Sequence, residues 1–381
     1  MEHPLRKLAV RRLVLVIAIS SFLVLSLPES SFAQNYERIY LLQRGESTFQ
    51  LTISITHTLY DYYLQKSHQA PISDLDTFVT PYSLALVAAD IRTIFPGEEE
   101  FVNGVLMVVH QIPYEVVAET KYPVETMIDN KGDCDLLSYI AASMLETQGL
   151  DVVLFYYEQE SHMNLGINLQ NPPQDSRTTV TYVDYRGTRY YMAECTGNDW
   201  ETGWRIGEMP PELEGAQITV IPLENVEETA PGQVSSSFGS LQSSTISLTA
   251  SSFILMEGNP VTITGRVTVP DSNITVSLYA ATNNNWHLIG TTQIDSNGRY
   301  AFSWNPASWG QYHLKASWPG DDEYAGADSS AVSIYVLPKF LVFAFGGALI
   351  LTVIAVVIFL IYRTTHPKET QTFEASQDVY S

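Results

Sequence analysis

Apolar and polar residues change their spacing several times along the chain, and each change marks an element. Over Phe49-Gln50-Leu51-Thr52-Ile53-Ser54-Ile55 they alternate strictly, which is the period of a half-buried strand. Pro81 to Phe95 and Glu98 to His110 instead have the spacing and length of helices. Pro81 suits a first turn, Pro96-Gly97 ends that helix, and Glu98, Glu99 and Glu100 suit the positive start of the next. Leu136, Leu137, Ile140, Ala141, Met144 and Leu145 then share one helical face, with Gly149 as the stop. Asp151 to Tyr157 reads as a buried strand and His162 to Leu169 as a second. In the second, Met163, Leu165, Ile167 and Leu169 face one way, and His162, Asn164 and Asn168 the other. A hairpin follows, with arms near Thr179 to Tyr185 and Thr188 to Glu194 around Arg186-Gly187. Helices in the first half and strands in the second predict an α+β domain over residues 36–224.

The periodicity stops after Glu224. Residues 225–244 are rich in Ser, Gln, Gly and acidic side chains and include Ser235-Ser236-Ser237, so a flexible linker is expected there. Over 245–337 seven short alternating segments are separated by turn signals such as Asp295-Ser296-Asn297-Gly298, the pattern of an all-β sandwich. This stretch resembles the bacterial immunoglobulin-like domains of surface proteins, above all in Trp318-Pro319-Gly320-Asp321-Asp322-Glu323-Tyr324-Ala325-Gly326. It holds no cysteine, so the disulfide of antibody domains is absent. Asp321, Asp322 and Glu323 are a calcium candidate, but adjacent carboxylates in a turn are ordinarily solvated and no metal site is assigned. Asn273-Ile274-Thr275 is the single N-glycosylation sequon.

The two ends carry apolar runs of different length. Arg6, Lys7, Arg11 and Arg12 precede the run Leu13 to Leu27, and Ser31-Phe32-Ala33 follows it, which predicts a signal peptide over 1–33. Fifteen residues at helical rise reach only about 22 Å, short of a hydrocarbon core of about 30 Å. Phe340 to Ile361 contains no charge and is flanked by Lys339 and Arg363, so one transmembrane helix is expected over 340–361, with a cytoplasmic tail over 363–381. The portion between would face outward from the cell membrane. Composition sharpens the picture: 20 Lys and Arg against 42 Asp and Glu give a net charge of −22, and the outward portion is more acidic than the whole, at −24. Such a surface repels nucleic acid and anionic lipid.

The chemistry is concentrated in Gly132-Asp133-Cys134-Asp135. Cys134 falls in the first turn of a core helix, where unpaired N–H groups and the dipole favour a sulfur anion. Asp133 fits the N-cap, at the cost of a negative charge beside the sulfur. His162 opens a strand on its polar side and Glu194 ends the hairpin's second arm. Strands packed on the Cys134 helix would bring thiol, imidazole and carboxylate together as nucleophile, base and orienter.

These residues resemble the transglutaminase-like superfamily of thiol enzymes, with its cysteine-protease-like (papain-like) fold, in its extracytoplasmic archaeal and bacterial form. The matching stretches are Tyr122-Pro123-Val124-Glu125-Thr126, Gly132-Asp133-Cys134-Asp135, His162-Met163-Asn164-Leu165-Gly166 and Tyr190-Tyr191-Met192-Ala193-Glu194-Cys195-Thr196-Gly197, within residues 110–210. The resemblance implies catalysis by Cys134, His162 and Glu194, the last where the wider family more often has Asp. It implies acyl chemistry on an amide of a protein or peptide substrate, as peptidase, amidase or acyl transferase. A cofactor is not expected, since the chain has no P-loop, dinucleotide fingerprint, HExxH or paired CxxC.

Other readings compete with each of these. A Cys134–Cys195 disulfide would abolish thiol chemistry, although alternation turns Cys195 away from Glu194's face. The fold would then be a silent surface interaction or adhesion protein. Asp184 competes for the role of Glu194, Gln111 is one candidate oxyanion donor, and Tyr190, Tyr191, Trp200 and Trp204 are candidate groove aromatics.

Overall fold

The computed structural model describes residues 35–340 apart from 198, 270–273, 283–284 and 322, and single positions between 354 and 361. The expected signal peptide, Asn273 of the sequon, the cytoplasmic tail and most of the 340–361 run lie outside the described residues. Among the described residues no helix is long and apolar enough to cross a membrane. The chain divides into two units: residues up to 247 with 267–270 and 316–330, and residues 248–266, 271–315 and 331 onward.

In the first unit β1 (Tyr36–Arg44) and β2 (Ser47–Ile55) form a hairpin, followed by α1 (His57–Leu64) and a 3₁₀ segment Ile72–Phe78. Next come α2 (Pro81–Ile94), α3 (Glu98–Val109), α4 (Pro123–Asp129) and α5 (Cys134–Glu146). Pro81 stands in the first turn of α2, and three glutamates open α3. β3 (Val152–Tyr157), β4 (His162–Ile167), β5 (Tyr182–Tyr185), β6 (Thr188–Ala193) and β7 (Thr219–Pro222) make an antiparallel sheet in the order β5-β6-β4-β3-β7.

Helix α5 lies at the centre, packed against α2, α3 and α4 and against β3 and β4. Eleven of its thirteen residues are buried, so it is enclosed all round and not only along the predicted apolar stripe. Its two serines are satisfied within the helix: Ser138 Oγ donates to the Cys134 carbonyl (2.7 Å) and Ser143 Oγ to that of Tyr139 (2.6 Å). Packing on the sheet's other face, away from α5, is close as well. A Cβ on Gly166 would come within 2.2 Å of the Phe155 ring.

The expected linker is not free. Ser235–Ser237 forms β8, pairing with β2, and Ala230 and Val234 are buried. Buried acceptors far away in sequence hold the rest. Asp76 Oδ2 accepts from the backbone N–H of Glu224 (2.8 Å) and Asn225 (2.6 Å), and Ser83 O from that of Val234 (2.9 Å). Glu227 accepts from the Tyr62, Tyr63 and Lys66 side chains. Small serines permit the close backbone approach, which a reading by apolar periodicity does not register.

The described residues of 246–337 form nine strands instead of the expected seven: β9 (Ile246–Ala250), β10 (Ile254–Met256), β11 (Val261–Val267), β12 (Thr275–Thr282), β13 (Asn285–Gln293), β14 (Arg299–Trp304), β15 (Gly310–Gly320), β16 (Ala325–Asp328) and β17 (Val332–Leu337). One sheet runs β14-β11-β9 and the other β10-β17-β15-β12-β13, with β16 paired to β15. The additional strands, β10 and β16, are only three and four residues long. At the calcium candidate, Asp321 Oδ1 accepts from the backbone N–H of Glu323 (2.9 Å) and Tyr324 (2.7 Å), so the carboxylate closes its own turn. Asp322 lies outside the described residues, among which no cluster of three metal-ligating side chains occurs.

Candidate active site

The antiparallel register assembles the site. Leu165 of β4 is opposite Ala193 of β6, so Asn164 meets Glu194 one residue beyond the end of β6, and His162 follows on the same face two residues away. His162 Nε2 lies 2.9 Å from Glu194 Oε2, and Asn164 Nδ2 donates to the same oxygen at 3.1 Å. The other oxygen, Oε1, accepts from the Thr196 backbone N–H (2.8 Å) and Thr196 Oγ1 (2.6 Å). Glu194 is therefore a fully buried carboxylate with four donors around it. Burial alone would raise its pKa, but His162 and then Thr196 hold it below the ordinary carboxylate value.

Cys134 is the first residue of α5, and its Sγ points to the Ser161 carbonyl at 3.8 Å. That carbonyl belongs to the residue before His162, whose remaining ring nitrogen is Nδ1 once Nε2 is committed to Glu194. Burial would lower the imidazole pKa, but the neighbouring Cys134 sulfur and then Glu194 outweigh it and raise the value to about 10. Thiol, imidazole and carboxylate thus lie near one another in that order.

Several expectations fail locally. Asp133 precedes α5 but its side chain does not cap the helix. Its Oδ2 accepts from the Val117 backbone N–H (3.1 Å) and tethers the strip before α4. Gln111 is engaged elsewhere: Oε1 accepts from Leu41 N–H and Nε2 donates to the Leu41 and Met107 carbonyls, each at 2.8 Å, so it is no oxyanion donor. Asp184 pairs with Arg189 on the exposed edge strand β5 (3.0 Å). Tyr190 and Tyr191 are buried core residues, so they line no groove, while Trp200 and Trp204 are half-buried. Both cysteines are free, and Cys195 is fully buried with its Sγ 3.8 Å from the Ala193 carbonyl, so no Cys134–Cys195 bridge is present.

Other residues contribute that the sequence pattern did not single out. Asn164 and Thr196 complete the carboxylate's shell, and both stood in the quoted motifs as neighbours without a role. His110, just beyond α3, places Nε2 3.1 Å from the Glu194 carbonyl and packs against Gly197 and Gly203. Burial lowers its pKa, so it is a neutral imidazole with its proton on Nε2. No charge or period marks such a role in advance.

Comparison with known proteins illuminates the downstream part. The family model of the bacterial Ig-like domain (group 3) matches residues 246–337. No curated protein matches the chain. Among solved structures, the sulfur carrier protein SoxY from Chlorobium limicola f. thiosulfatophilum is 15% identical, with 26% of this chain and 84% of that one covered and a TM-score of 0.19. The CARDB domain of the PF1109 protein from Pyrococcus furiosus is 10% identical (25% and 94% covered, TM-score 0.19). Spo0M, a sporulation control protein from Bacillus subtilis, is 10% identical (26% and 50% covered, TM-score 0.20). Scores of this size carry no argument about function. Residues 246–337 of the chain are a bacterial immunoglobulin-like domain.

Proposed function

We propose that the first unit is a transglutaminase-like thiol enzyme that attacks the carbonyl of an amide in a protein or peptide. The observation supporting this is the paired His162 and enclosed Glu194, with the Cys134 thiol directed at the carbonyl of Ser161, the residue before that histidine. Cys134 as thiolate forms the S–C bond, and the carbonyl π pair moves onto oxygen. When the adduct collapses, the C–N bond breaks and the amine leaves with a proton from His162 Nδ1, giving a thioester. Water or a second amine resolves it, with His162 taking back a proton. Glu194 fixes the ring's orientation and offsets its positive charge. Asn164 and Thr196 keep Glu194 from turning away. The apolar runs at 13–27 and 340–361 support an outward-facing protein anchored to the cell membrane by one C-terminal helix, with the immunoglobulin-like domain as its stalk.

Trapping with an amide-mimetic electrophile tests the reading. The parent should take one equivalent, Cys134→Ala none, and folded His162→Ala far less than the parent. Labelling of Cys134→Ala equal to the parent's would place the reactive group elsewhere. A parent that takes no label would leave the first unit as a binding module.

A further inference from the structure

An acyl-transfer site must stabilise the oxyanion that forms as the carbonyl is attacked, and Gln111 is unavailable for this. One other polar residue is held by its backbone beside the segment that leads into the nucleophile. The strip Pro113 to Val117 runs beside the residues leading into Cys134: Gly132 N–H donates to the Pro113 carbonyl (3.2 Å), Glu115 N–H to the Gly132 carbonyl (2.9 Å), and Val117 N–H to Asp133 Oδ2 (3.1 Å). Tyr114 is bridged to Gly132 at the centre of this strip. Two backbone bonds and one to the Asp133 carboxylate, all within five residues, fix its Cα relative to the start of α5.

The phenol itself is 46% exposed, and its hydroxyl makes no hydrogen bond to another described residue. Burial of the ring's inner part comes first among the influences that raise its pKa, followed by the charges of Cys134, Asp133, Asp135 and Glu194. The hydroxyl therefore stays protonated at neutral pH, as a hydrogen-bond donor must.

We propose that Tyr114 is the side-chain member of the oxyanion hole, donating its phenolic O–H to the oxygen of the carbonyl under attack by Cys134. This assignment rests on the thiol-enzyme reading. The Cys134 backbone N–H, at the first position of α5 and without an intrahelical acceptor, is the second donor. Neither donor gives up its proton. Both strengthen their bonds as the π pair localises on oxygen, and relax when the pair returns and the amine departs.

Two reagents separate the role from its background in the full chain. Iodoacetamide alkylates a thiolate by displacing iodide and forms no oxyanion, whereas p-nitrophenyl acetate acylates it through a tetrahedral oxyanion and releases p-nitrophenolate. Tyr114→Phe removes one oxygen from a half-exposed ring. It should alkylate at Cys134 within twofold of the parent and acylate about 100-fold more slowly. Tyr114→Gln, which restores a donor, should recover part of the loss. Equal acylation by parent and Tyr114→Phe overturns the proposal, and so does an equal fall in both reactions, which would mean that the phenol acts on the thiol. A parent without Cys134-dependent reaction toward either reagent overturns the thiol-enzyme reading itself, and this role with it.

Discussion

Replacing Glu194 by Gln is the most informative single change, because one oxygen becomes an amide while the volume stays the same. Each carboxylate oxygen receives two donors: His162 Nε2 and Asn164 Nδ2 on one side, Thr196 N–H and Oγ1 on the other. Whichever way the Gln amide turns, its NH₂ faces two donors and two hydrogen bonds are lost inside a site with no solvent access. Hydrogen bonds to a charged group contribute about 1.5–3 kcal/mol each, and breaking a buried pair costs about 3–5 kcal/mol. Glu194→Gln should therefore lose about 3 kcal/mol at pH 6, measured by urea unfolding. The folded His162 value of about 10 lies above the ordinary 6.5, so its stabilisation is complete below pH 6.5 and is lost as pH rises through about 10. Glu194 is depressed, so its share is present above pH 4.5 and disappears as pH falls through its folded value. The parent should be most stable between these limits, and the Gln variant should lose the decline on the alkaline side. A loss under 1 kcal/mol with an unchanged pH profile would refute the pairing.

Asp135 in the first turn of α5 has its pKa raised to about 7 by burial and then by the neighbouring Asp133 carboxylate. The folded chain thus holds a proton that the unfolded chain releases above 3.8, and stability should fall between pH 4 and 7; Asp135→Asn should remove that slope and raise Tm at pH 8. Gly166→Ala drives a Cβ into the Phe155 ring, so urea unfolding should show a loss of about 1–3 kcal/mol, partly restored in the double variant with Phe155→Leu. Glu227→Ala strips the acceptor from two phenols and an ammonium, so limited proteolysis should begin to cut within 225–234 while the parent resists.

The site was legible where local pattern decides structure. Alternation along β4 puts His162 and Asn164 on one side, and Cys134 opens the predicted helix. The end of β6 delivers Glu194 beside them. What could not be read depends on partners remote in the chain. Gln111 belongs to the backbone of β1, Asp133 to the strip before α4, Asp76 holds backbone about 150 residues downstream, and Glu227 in that segment reaches back to Tyr62 and Tyr63. The tyrosines were ambiguous for a related reason. Period places Tyr190 and Tyr191 on opposite faces of β6, but both faces of this sheet are covered, so both are core. The β1 strand was missed because its Glu37, Arg38 and Gln43 mask the alternation.

The three linked side chains arise from α5, β4 and β6, all within about sixty residues of chain. Bringing them together requires the closure of two loops of modest length, and loop-closure entropy grows only slowly with size. The cluster is therefore a local product of its own stretch of polypeptide. Inheritance follows the same geometry: the three residues travel together on one continuous stretch of chain and are not divided among different pieces of it.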